Sequence, residues 1–252
     1  MLGDIRDRST EAFYKHDRVA DEYEEIRFQS RAGRLIDRLQ KEAVSSFVNP
    51  GELVGKRVLD MGCGTGRFSR VFSSLGARVV GFDVSRKMLL HAKKQRSAEI
   101  YIEGNALILP FRESYFALSI SVNVLNHLFS YEQAIHEICR VSKKVVLGLP
   151  NRHSLSLLAY IYRILRGWGT EYTGFTVKKY ETDTLPYSRY FSFGELKRLF
   201  QENGFGNVQM QGCWIFPILP EWAVSTVARI NRISPPLLKR FGTFFAIGAE
   251  KE

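Results

Sequence analysis

Short apolar runs and amphipathic stretches alternate along most of this chain. Runs with the length of buried strands occur at 57–61, 78–83, 100–104, 116–123 and 144–150. Between them, apolar residues recur at spacings of three and four, and the predicted helices are 66–76, 85–95 and 130–142. Strands that alternate with helices in this way indicate a parallel sheet covered by helices on both faces.

The alternation breaks after Pro150 and resumes near residue 192. The later elements predicted are a helix at 192–206, a strand at 207–213 and a last strand in FFAIGAE near the C-terminal end. Residues 151–190 and 214–240 do not follow the alternation, so we interpret them as two lid insertions in one domain that spans 1–252. Residues 9–46 have the spacing of helices and are interpreted as N-terminal cap helices.

The charge balance is strongly basic, with a net charge of +10 and an isoelectric point of about 9.6. Such a surface attracts anions such as nucleic acid, anionic lipid or phosphorylated substrates, although general solubility is an equally simple reading. The excess is uneven, because residues 143–168 carry five basic residues and no acidic one.

Sequence features also predict the compartment. No apolar run approaches the roughly 18 residues that a membrane span needs, and the start, MLGDIRDRST, lacks the apolar stretch of a signal peptide. The three cysteines, Cys63, Cys139 and Cys213, are far apart and show neither a disulfide framework nor a zinc spacing. We therefore expect a cytoplasmic protein, with membrane association left open, and no metal.

The sequence VLDMGCGTGRFSR, residues 58–70, predicts a nucleotide-type site. A strand, a glycine turn and a helix N-terminus together place backbone N–H groups around a polar ligand. The spacing is G-x-G-x-G rather than the dinucleotide pattern G-x-G-x-x-G, and Arg67 stands in place of the third glycine of that pattern. Asp60 before the loop suits a ligand's ammonium group better than a pyrophosphate. Asp83, at the end of the second strand, suits ribose hydroxyls.

These motifs resemble those of the class I S-adenosylmethionine-dependent methyltransferases. The similarity rests on VLDMGCGTGRFS and VVGFDVSRKMLLHAKK, continues through AIHEICRVSKKVVLGLPN, and ends at YFSFGELKRLFQENGF. The pattern is similar to the group that includes ubiquinone- and menaquinone-type methyltransferases. The resemblance implies an α/β, Rossmann-like, doubly wound fold. Its seven-stranded sheet is mostly parallel with the last strand antiparallel, and helical lid insertions are added to it.

The resemblance also implies the cofactor, S-adenosyl-L-methionine, with S-adenosyl-L-homocysteine as product. The loop and its neighbours would hold the methionine end, the second strand the ribose and adenine, and the N-terminal helices would close the site. The implied cofactor-binding residues are Tyr23, Arg27, Asp60, Gly62, Cys63, Gly64, Gly66, Asp83, Val84, Met88, Asn105, Ala106 and Asn123. Three departures from the family pattern are Asn105 in place of an aspartate, Ala117 in place of an aspartate, and "SKK" in place of a Pro-Gly-Gly turn.

Two histidines near the predicted strand ends are candidate catalytic residues. His127 follows the fourth strand and His153 follows the fifth, so each could deprotonate an acceptor or merely shape its pocket. Tyr187, Arg189 and Tyr190 are further candidates for the acceptor site. Methyl transfer from a sulfonium needs mainly positioning and desolvation, and no metal is required.

Three functional hypotheses stay open. The first is methyl transfer to a small hydrophobic, lipid-like acceptor with peripheral membrane contact, because both insertions are rich in apolar and basic residues. The second is an RNA methyltransferase, such as one acting on tRNA, which the positive charge would serve. The third is a protein that binds S-adenosylmethionine without catalysis. A dinucleotide oxidoreductase is disfavoured by the loop spacing and by Asp60.

Overall fold

A computed structural model describes residues 11–12, 14–15, 23–25, 27–154, 188–214 and 221–252 of the chain. The apolar helix predicted soon after Pro150 and the candidate Tyr187 lie outside the described residues. Within those residues, no helix combines the length and the apolar composition that crossing a bilayer requires.

The described residues contain one sheet of seven strands in the order β3-β2-β1-β4-β5-β7-β6. The strands are β1 (Arg57–Met61), β2 (Arg78–Asp83), β3 (Ile100–Glu103), β4 (Leu118–Val122), β5 (Lys144–Pro150), β6 (Phe205–Cys213) and β7 (Phe244–Lys251). Strands β1 to β5 pair in parallel, whereas β7 runs antiparallel to both neighbours, β5 and β6. The predicted Rossmann-like sheet with an antiparallel last strand is therefore confirmed.

Helices cover the sheet on both faces. They are α1 (Arg31–Ser45), α2 (Arg67–Ser74), α3 (Arg86–Lys94), α4 (Tyr131–Arg140), α5 (Phe193–Glu202), α6 (Val224–Ile233) and α7 (Pro236–Lys239). Short 3-10 turns occupy Leu125–His127 and Glu221–Ala223, and the described residues from 11 to 28 are helical as well. Most helices are one or two residues shorter at each end than the apolar pattern predicts, because the pattern does not register the caps.

Serine side chains fix the start of three helices. The hydroxyls of Ser30, Ser85 and Ser192 accept hydrogen bonds from backbone N–H groups in the first turn of α1, α3 and α5. Each bond satisfies a donor that the helix cannot pair internally. The cap at Ser85, which the sequence predicted, holds α3 against the end of β2, where Asp83 lies.

The core is divided between the two faces of the sheet. Alternate residues of β1 face opposite ways, so Leu59 packs with α4 and α5 while Val58 packs with α1 and α2. Asp60 has the same parity as Val58 and therefore faces α2. The strand order reverses between β1 and β4, and a doubly wound sheet binds ligands at that point, outside the carboxyl ends of its strands.

The second predicted insertion, 214–240, is described at Trp214 and from residue 221 onward. Here α6 packs its buried Val224 and Val227 in the apolar cluster that also contains Leu39 of α1. This part of the insertion thus joins the face of the sheet that α1 covers. The first predicted insertion, 151–190, is described only at its two ends, and its role as a lid stays a prediction.

Candidate functional site

A cavity with about 900 Å³ of empty space, counted to its open mouth, lies at the carboxyl ends of β1, β2 and β4. The residues that line it are Glu11, Tyr14, Tyr23, Gly62, Gly64, Phe82, Asp83, Val84, Met88, Gly104, Asn105, Ala106, Leu107, Val122, Asn123, Val124, His127 and Leu128. The chain therefore closes this space with strand ends, the glycine loop and the N-terminal helical residues.

The glycine loop is anchored to the neighbouring strand by its backbone. The N–H groups of Gly62 and Cys63 both donate to the carbonyl oxygen of Phe82, at 2.7 and 3.1 Å. The Gly66 N–H then donates to the Cys63 carbonyl at 2.9 Å, which closes the turn just before α2 begins. These bonds hold the loop as a rigid platform beside the last residues of β2.

The three glycines of the loop have different reasons to be glycine. All three have positive φ, which glycine adopts at no steric cost. A Cβ on Gly62 would collide with the Val124 side chain, and one on Gly66 would collide with Ser97. A Cβ on Gly64 would meet no protein atom within 4 Å. Gly64 lines the cavity, so the space beside it is available to a ligand.

Asp83 stands at the floor of the cavity, directly against the loop. Its Oδ2 accepts from the Gly64 N–H at 2.8 Å, and its Oδ1 accepts from the Ser85 N–H at 2.9 Å. Burial raises the pKa of this carboxyl above its usual value, while the backbone N–H groups lower it in part. A buried carboxylate whose partners in the protein are backbone donors can accept further hydrogen bonds from ligand hydroxyls.

Asp60 lies behind the loop. It is 2% exposed, and its Oδ2 accepts from the Ser69 hydroxyl of α2 at 2.6 Å. Burial raises the pKa of Asp60 to about 7. Asp60 is not part of the cavity wall. Its carboxylate faces α2, as the parity of β1 requires, and its role in holding an ammonium group stays a prediction.

The wall beyond Asp83 is apolar and suits a flat ring. Val84 lies between β2 and the N-cap of α3, the buried Met88 lies in the first turn of α3, and Asn105 and Ala106 follow β3. The Asn105 side-chain oxygen accepts from the Leu107 N–H at 2.9 Å, so the asparagine stabilises its own turn. That oxygen has a second lone pair, which leaves it able to accept from a ligand amino group as well.

The N-terminal helical residues are tied to the glycine loop by one carboxylate. Glu24 Oε1 accepts from the Thr65 hydroxyl at 2.6 Å and from Arg70 Nη2 at 2.8 Å. Burial raises the pKa of Glu24, but hydrogen bonds from Arg70 and Thr65 outweigh it, so the pKa is lowered overall. This Glu24 latch spans more than 40 residues of sequence and joins the cap directly to the platform.

A buried arginine makes a second link between the cap and the fold. Arg67 stands where a dinucleotide site would have its third glycine, and its Nε donates to Asp37 at 2.8 Å while its Nη2 donates to Gln40 at 2.9 Å. The guanidinium lies 3.9 Å from the centre of the Phe28 ring. Arg67 is therefore a structural residue that joins α1, α2 and the end of the cap.

Aromatic and polar residues surround the mouth of the cavity next to β4. Asn123 follows β4 with a φ of 56°, a left-handed conformation that asparagine tolerates better than most residues, and its N–H donates to the Gly148 carbonyl at 2.9 Å. The Tyr14 ring meets the His127 ring edge-on, with centroids 5.4 Å apart. Glu11 lies three residues before Tyr14 and also lines the cavity.

Five predicted site residues do not form the wall: Arg27, Asp60, Cys63, Gly66 and His153. Arg27 instead donates to the Tyr23 hydroxyl at 2.9 Å, and Tyr23 does line the cavity. Cys63 is buried beneath the loop. Burial raises the pKa of its thiol, and the negative charges of Asp83 and Asp60 raise it further. His153 is exposed, and its N–H donates to Asn151 Oδ1. The structure thus brings His127, but not His153, to the cavity.

The acceptor candidates Arg189 and Tyr190 also lie outside the described wall. Arg189 pairs with Glu195 at 2.7 Å and its guanidinium stacks 4.1 Å from the centre of the Tyr131 ring. Its backbone N–H donates to the carbonyl of Asn126, which ties residues 188–190 to the 3-10 turn that carries His127. Arg189 is therefore placed to hold that turn in position.

Sequence reasoning missed several residues of the wall. Glu11 and Tyr14 belong to the segment that was interpreted only as a cap, and their spacing of three on a helix was the available signal. Phe82 and Val122 lie at the ends of strands that already pointed to the site. Val124 and Leu128 flank His127, so a histidine in an apolar setting at a strand end could have identified them.

Comparisons with known proteins agree with this geometry. A family described as "Methyltransferase domain" matches residues 59–145, which include most of β1, the glycine loop and β2 to β4. A ubiquinone biosynthesis O-methyltransferase from Burkholderia pseudomallei is 28% identical over 187 residues, covering 71% of this chain and 77% of that protein. A malonyl-[acyl-carrier protein] O-methyltransferase from Buchnera aphidicola is 42% identical over 86 residues, or 34% of this chain. The chain spans about a third of the length of the malonyl-[acyl-carrier protein] relatives of this kind.

Solved structures share the whole fold at low sequence identity. A magnesium protoporphyrin IX methyltransferase from Synechocystis with bound S-adenosylhomocysteine superposes with a TM-score of 0.66, at 16% identity, and covers 100% of both chains. A methyltransferase from Archaeoglobus fulgidus gives a TM-score of 0.59 at 19% identity, covering 91% of this chain and 98% of that one. At these identities the likeness concerns the fold.

Proposed function

This chain belongs to the class I S-adenosylmethionine-dependent methyltransferases, and we propose that it transfers the methyl group of that cofactor to a small hydrophobic acceptor. The family assignment rests on the matched domain, on the relatives named as methyltransferases and on the shared fold. The class of acceptor, in contrast, is our proposal.

The observation that carries the proposal is the pairing of Gly64 with Asp83 at one cavity. Gly64 leaves open space where a side chain would stand, and Asp83 offers a buried carboxylate beside it. S-adenosylmethionine carries a ribose with two hydroxyls, an adenine ring and a methionine end. These fit the Asp83 carboxylate, the apolar wall of Val84 and Met88, and the glycine loop respectively. The chemistry of the donor set therefore suits this cofactor.

The cofactor supplies an electrophilic methyl group on a sulfonium, and the chain's residues position and desolvate the reaction. Asp83 orients the nucleoside, and the rigid platform of Gly62 and Gly64 fixes the other end. Tyr23 and the Glu24 latch hold the N-terminal helical residues over the site and exclude water. Positioning of this kind accounts for most of the rate of a displacement whose leaving group is already in place.

His127 is the proposed general base. It is the described histidine that lines the cavity, and it lies in the 3-10 turn shortly after Asn123 and β4. An acceptor hydroxyl or amine that occupies the mouth next to β4 would be within reach of its ring. Substitution His127→Asn keeps a polar side chain and removes the base. We expect kcat to fall by about 100-fold with cofactor affinity unchanged.

A hydrophobic acceptor is supported by the composition of the mouth. Leu107, Val122, Val124 and Leu128 contribute apolar surface there, beside the polar side chains of Glu11, Asn123 and His127. The relatives are named for malonyl-[acyl-carrier protein], ubiquinone biosynthesis and magnesium protoporphyrin IX, so their acceptors differ from one another. The proposal is therefore limited to the class of acceptor.

An acceptor screen tests the proposal. Purified protein is incubated with methyl-labelled cofactor and extracted fractions of small molecules, lipids, proteins and RNA, and label transfer is measured in each. We expect label in an organic-soluble small-molecule fraction, with His127→Asn as the catalytic control. Label in RNA or protein would contradict the hydrophobic acceptor, and cofactor binding without label in any fraction would favour a non-catalytic role.

The positive charge favours one alternative, an RNA methyltransferase. The net charge of +10 would support binding to a polyanion. This alternative predicts tRNA binding that weakens steeply as salt rises, because phosphate contacts release counterions. Binding that is absent, or that does not depend on salt, would remove it.

A further inference from the structure

We infer that the segment 222–241 forms a docking surface for an anionic phospholipid bilayer. This segment carries six large apolar side chains that are exposed in the folded protein: Trp222, Ile230, Ile233, Leu237, Leu238 and Phe241. The other seven exposed large hydrophobics of the described residues are spread from Val54 to Tyr190. Single exposed apolar residues are ordinary, but such a concentration in twenty residues marks an interaction surface.

Four of the exposed apolar residues lie in the two helices of the segment. In α6, Val224, Val227 and Asn231 face inward, which leaves Ile230 and Ile233 on the outer side. All four residues of α7 lie outside the core, and Leu237 and Leu238 are exposed there. The fold thus uses one face of α6 for its own core and presents the other face, with α7, outward.

Charge identifies the occupant. Residues 222–243 contain Arg229, Arg232, Lys239 and Arg240, and no aspartate or glutamate. Three of these basic residues are exposed, and Lys239 is half-buried. Helices that lie in a membrane interface combine exposed apolar residues with lysine and arginine, and anionic lipid attracts that positive charge. The anionic surface of a bilayer complements both properties of this segment.

The position of the surface links it to the cavity. Since β7 is antiparallel to both β5 and β6, strand β6 ends at the same edge of the sheet as β4 and β5. Asn151, which follows β5, donates from Nδ2 to the carbonyl oxygens of Arg240 and Gly242, each at 2.8 Å. The α7 end of the surface is therefore fixed at the edge where the cavity opens, and a bilayer bound there would lie beside the mouth.

Co-sedimentation with vesicles tests the inference without reference to any acceptor. Wild-type protein is mixed with vesicles of phosphatidylcholine alone and of phosphatidylcholine with phosphatidylglycerol. We expect sedimentation with the anionic vesicles only, and a blue shift of tryptophan emission that the Trp222→Phe variant lacks although it still sediments. Failure of the wild-type protein to bind anionic vesicles would overturn the inference.

A pair of double variants isolates the surface. The Ile233→Asp/Leu237→Asp variant changes residues that are 68% and 64% exposed, and the control Val54→Asp/Leu90→Asp adds the same charge at residues that are 65% and 51% exposed elsewhere. We expect the first to lose at least about tenfold in vesicle partitioning and the second to lose much less. One charge close to an anionic bilayer is worth roughly fivefold in partitioning, and this effect falls off within a Debye length, so aspartates at Val54 and Leu90, away from the proposed surface, should weaken partitioning much less.

Three readouts separate the outcomes: melting temperature, S-adenosylmethionine binding and vesicle binding. Melting temperature and S-adenosylmethionine binding show that each variant is folded, so a failure of the methyl-transfer proposal is visible independently of vesicle binding. Equal losses in the two double variants would overturn the inference. It would also be overturned if the Ile233→Asp/Leu237→Asp variant left vesicle binding intact but converted a dimer to a monomer, or abolished binding of tRNA instead.

Discussion

The two halves of the sheet differ in the structural features that form their functional regions. The half made of β3, β2, β1 and β4 is parallel, and its site comes from a loop and a strand end that are about 20 residues apart. The half made of β5, β7 and β6 contains the antiparallel strand and carries α6 and α7. Its exposed surface depends on how α6 and α7 pack against the rest of the fold. One half therefore holds a ligand by backbone geometry, and the other presents a surface by helix packing.

The largest predicted effect concerns the pH dependence of stability in the first half. Burial raises the pKa of Asp60 to about 7 from an unfolded value near 4, so the folded state binds this proton more tightly. The contribution to the free energy of unfolding is fully present below pH 4 and is lost as the pH rises through about 7. A pKa difference of this size between the folded and unfolded states corresponds to up to about 4 kcal/mol.

Urea unfolding of wild type and Asp60→Asn between pH 4 and pH 8 measures this effect. The difference in unfolding free energy between the two proteins should change in favour of the variant as the pH rises, because asparagine does not titrate. Carboxylates with lowered pKa, such as Glu24, contribute the opposite slope equally to both proteins and cancel in the difference. A difference that is constant across this range would contradict the raised pKa.

The next effect separates two glycines of the same loop. Gly66→Ala places a Cβ against Ser97, whose buried hydroxyl donates to the Ala92 carbonyl at 3.0 Å, so we expect a loss of about 3 kcal/mol in stability. A Cβ at Gly64 meets open space, so Gly64→Ala should lose only about 1 kcal/mol of stability, which is the cost of a left-handed backbone for alanine. Chemical denaturation measures both.

The order of the two variants should reverse when cofactor binding is measured, with Gly64→Ala more strongly affected than Gly66→Ala. Gly64→Ala fills ligand space and should weaken S-adenosylmethionine binding strongly, in a protein that is otherwise folded. If Gly64→Ala bound the cofactor as well as wild type, the loop would not be the ligand platform.

A smaller effect is expected at the Glu24 latch. Glu24→Gln keeps the shape but removes the charge that receives Thr65 and Arg70, and the site is partly exposed, so we expect a loss of about 1 kcal/mol. Because the latch closes the cap over the cavity, the loss should appear as a cofactor dissociation rate about fivefold faster in stopped-flow experiments.

Glu25→Gln is the matched control, since this neighbouring glutamate is exposed. A double variant, Glu24→Gln with Arg70→Gln, should lose less than the sum of the losses of its single variants if both act through one contact. Equal dissociation rates for the Glu24 and Glu25 variants would show that the latch does not hold the cap.

The sequence predicted the fold of both halves but the site of only one. The spacing of apolar residues, helix caps and glycines are local signals. The strand at 78–83 could therefore be predicted with accurate bounds, and the N-cap at Ser85 could be predicted as well. Gly64, Asp83 and Met88 were likewise identified because motif and strand end lie close in sequence. His127 was predicted from its position after β4, whereas its contact with Tyr14 and the place of Glu11 in the wall arise only in the folded chain.

Two predicted site residues lie outside the cavity wall for physical reasons of the same kind. Asp60 stands in the motif, but the alternation of β1 turns its carboxylate toward Ser69 of α2. His153 follows β5, but the Asn151 turn leaves it exposed. Proximity to a strand end predicts the edge of the sheet to which a residue belongs, whereas the direction of its side chain depends on parity and on the turn that follows.

Calorimetric titration with S-adenosylmethionine, S-adenosylhomocysteine and NAD measures directly whether this cavity holds the methyl donor. We expect wild type to bind both sulfur ligands and not NAD. Asp83→Asn should weaken their binding by about 10- to 100-fold, since a hydrogen bond to a charged group contributes about 1.5–3 kcal/mol, while Asp60→Asn should weaken it much less. Undiminished binding in Asp83→Asn, or binding of NAD in place of the sulfur ligands, would contradict the assignment of this cavity as the methyl-donor site.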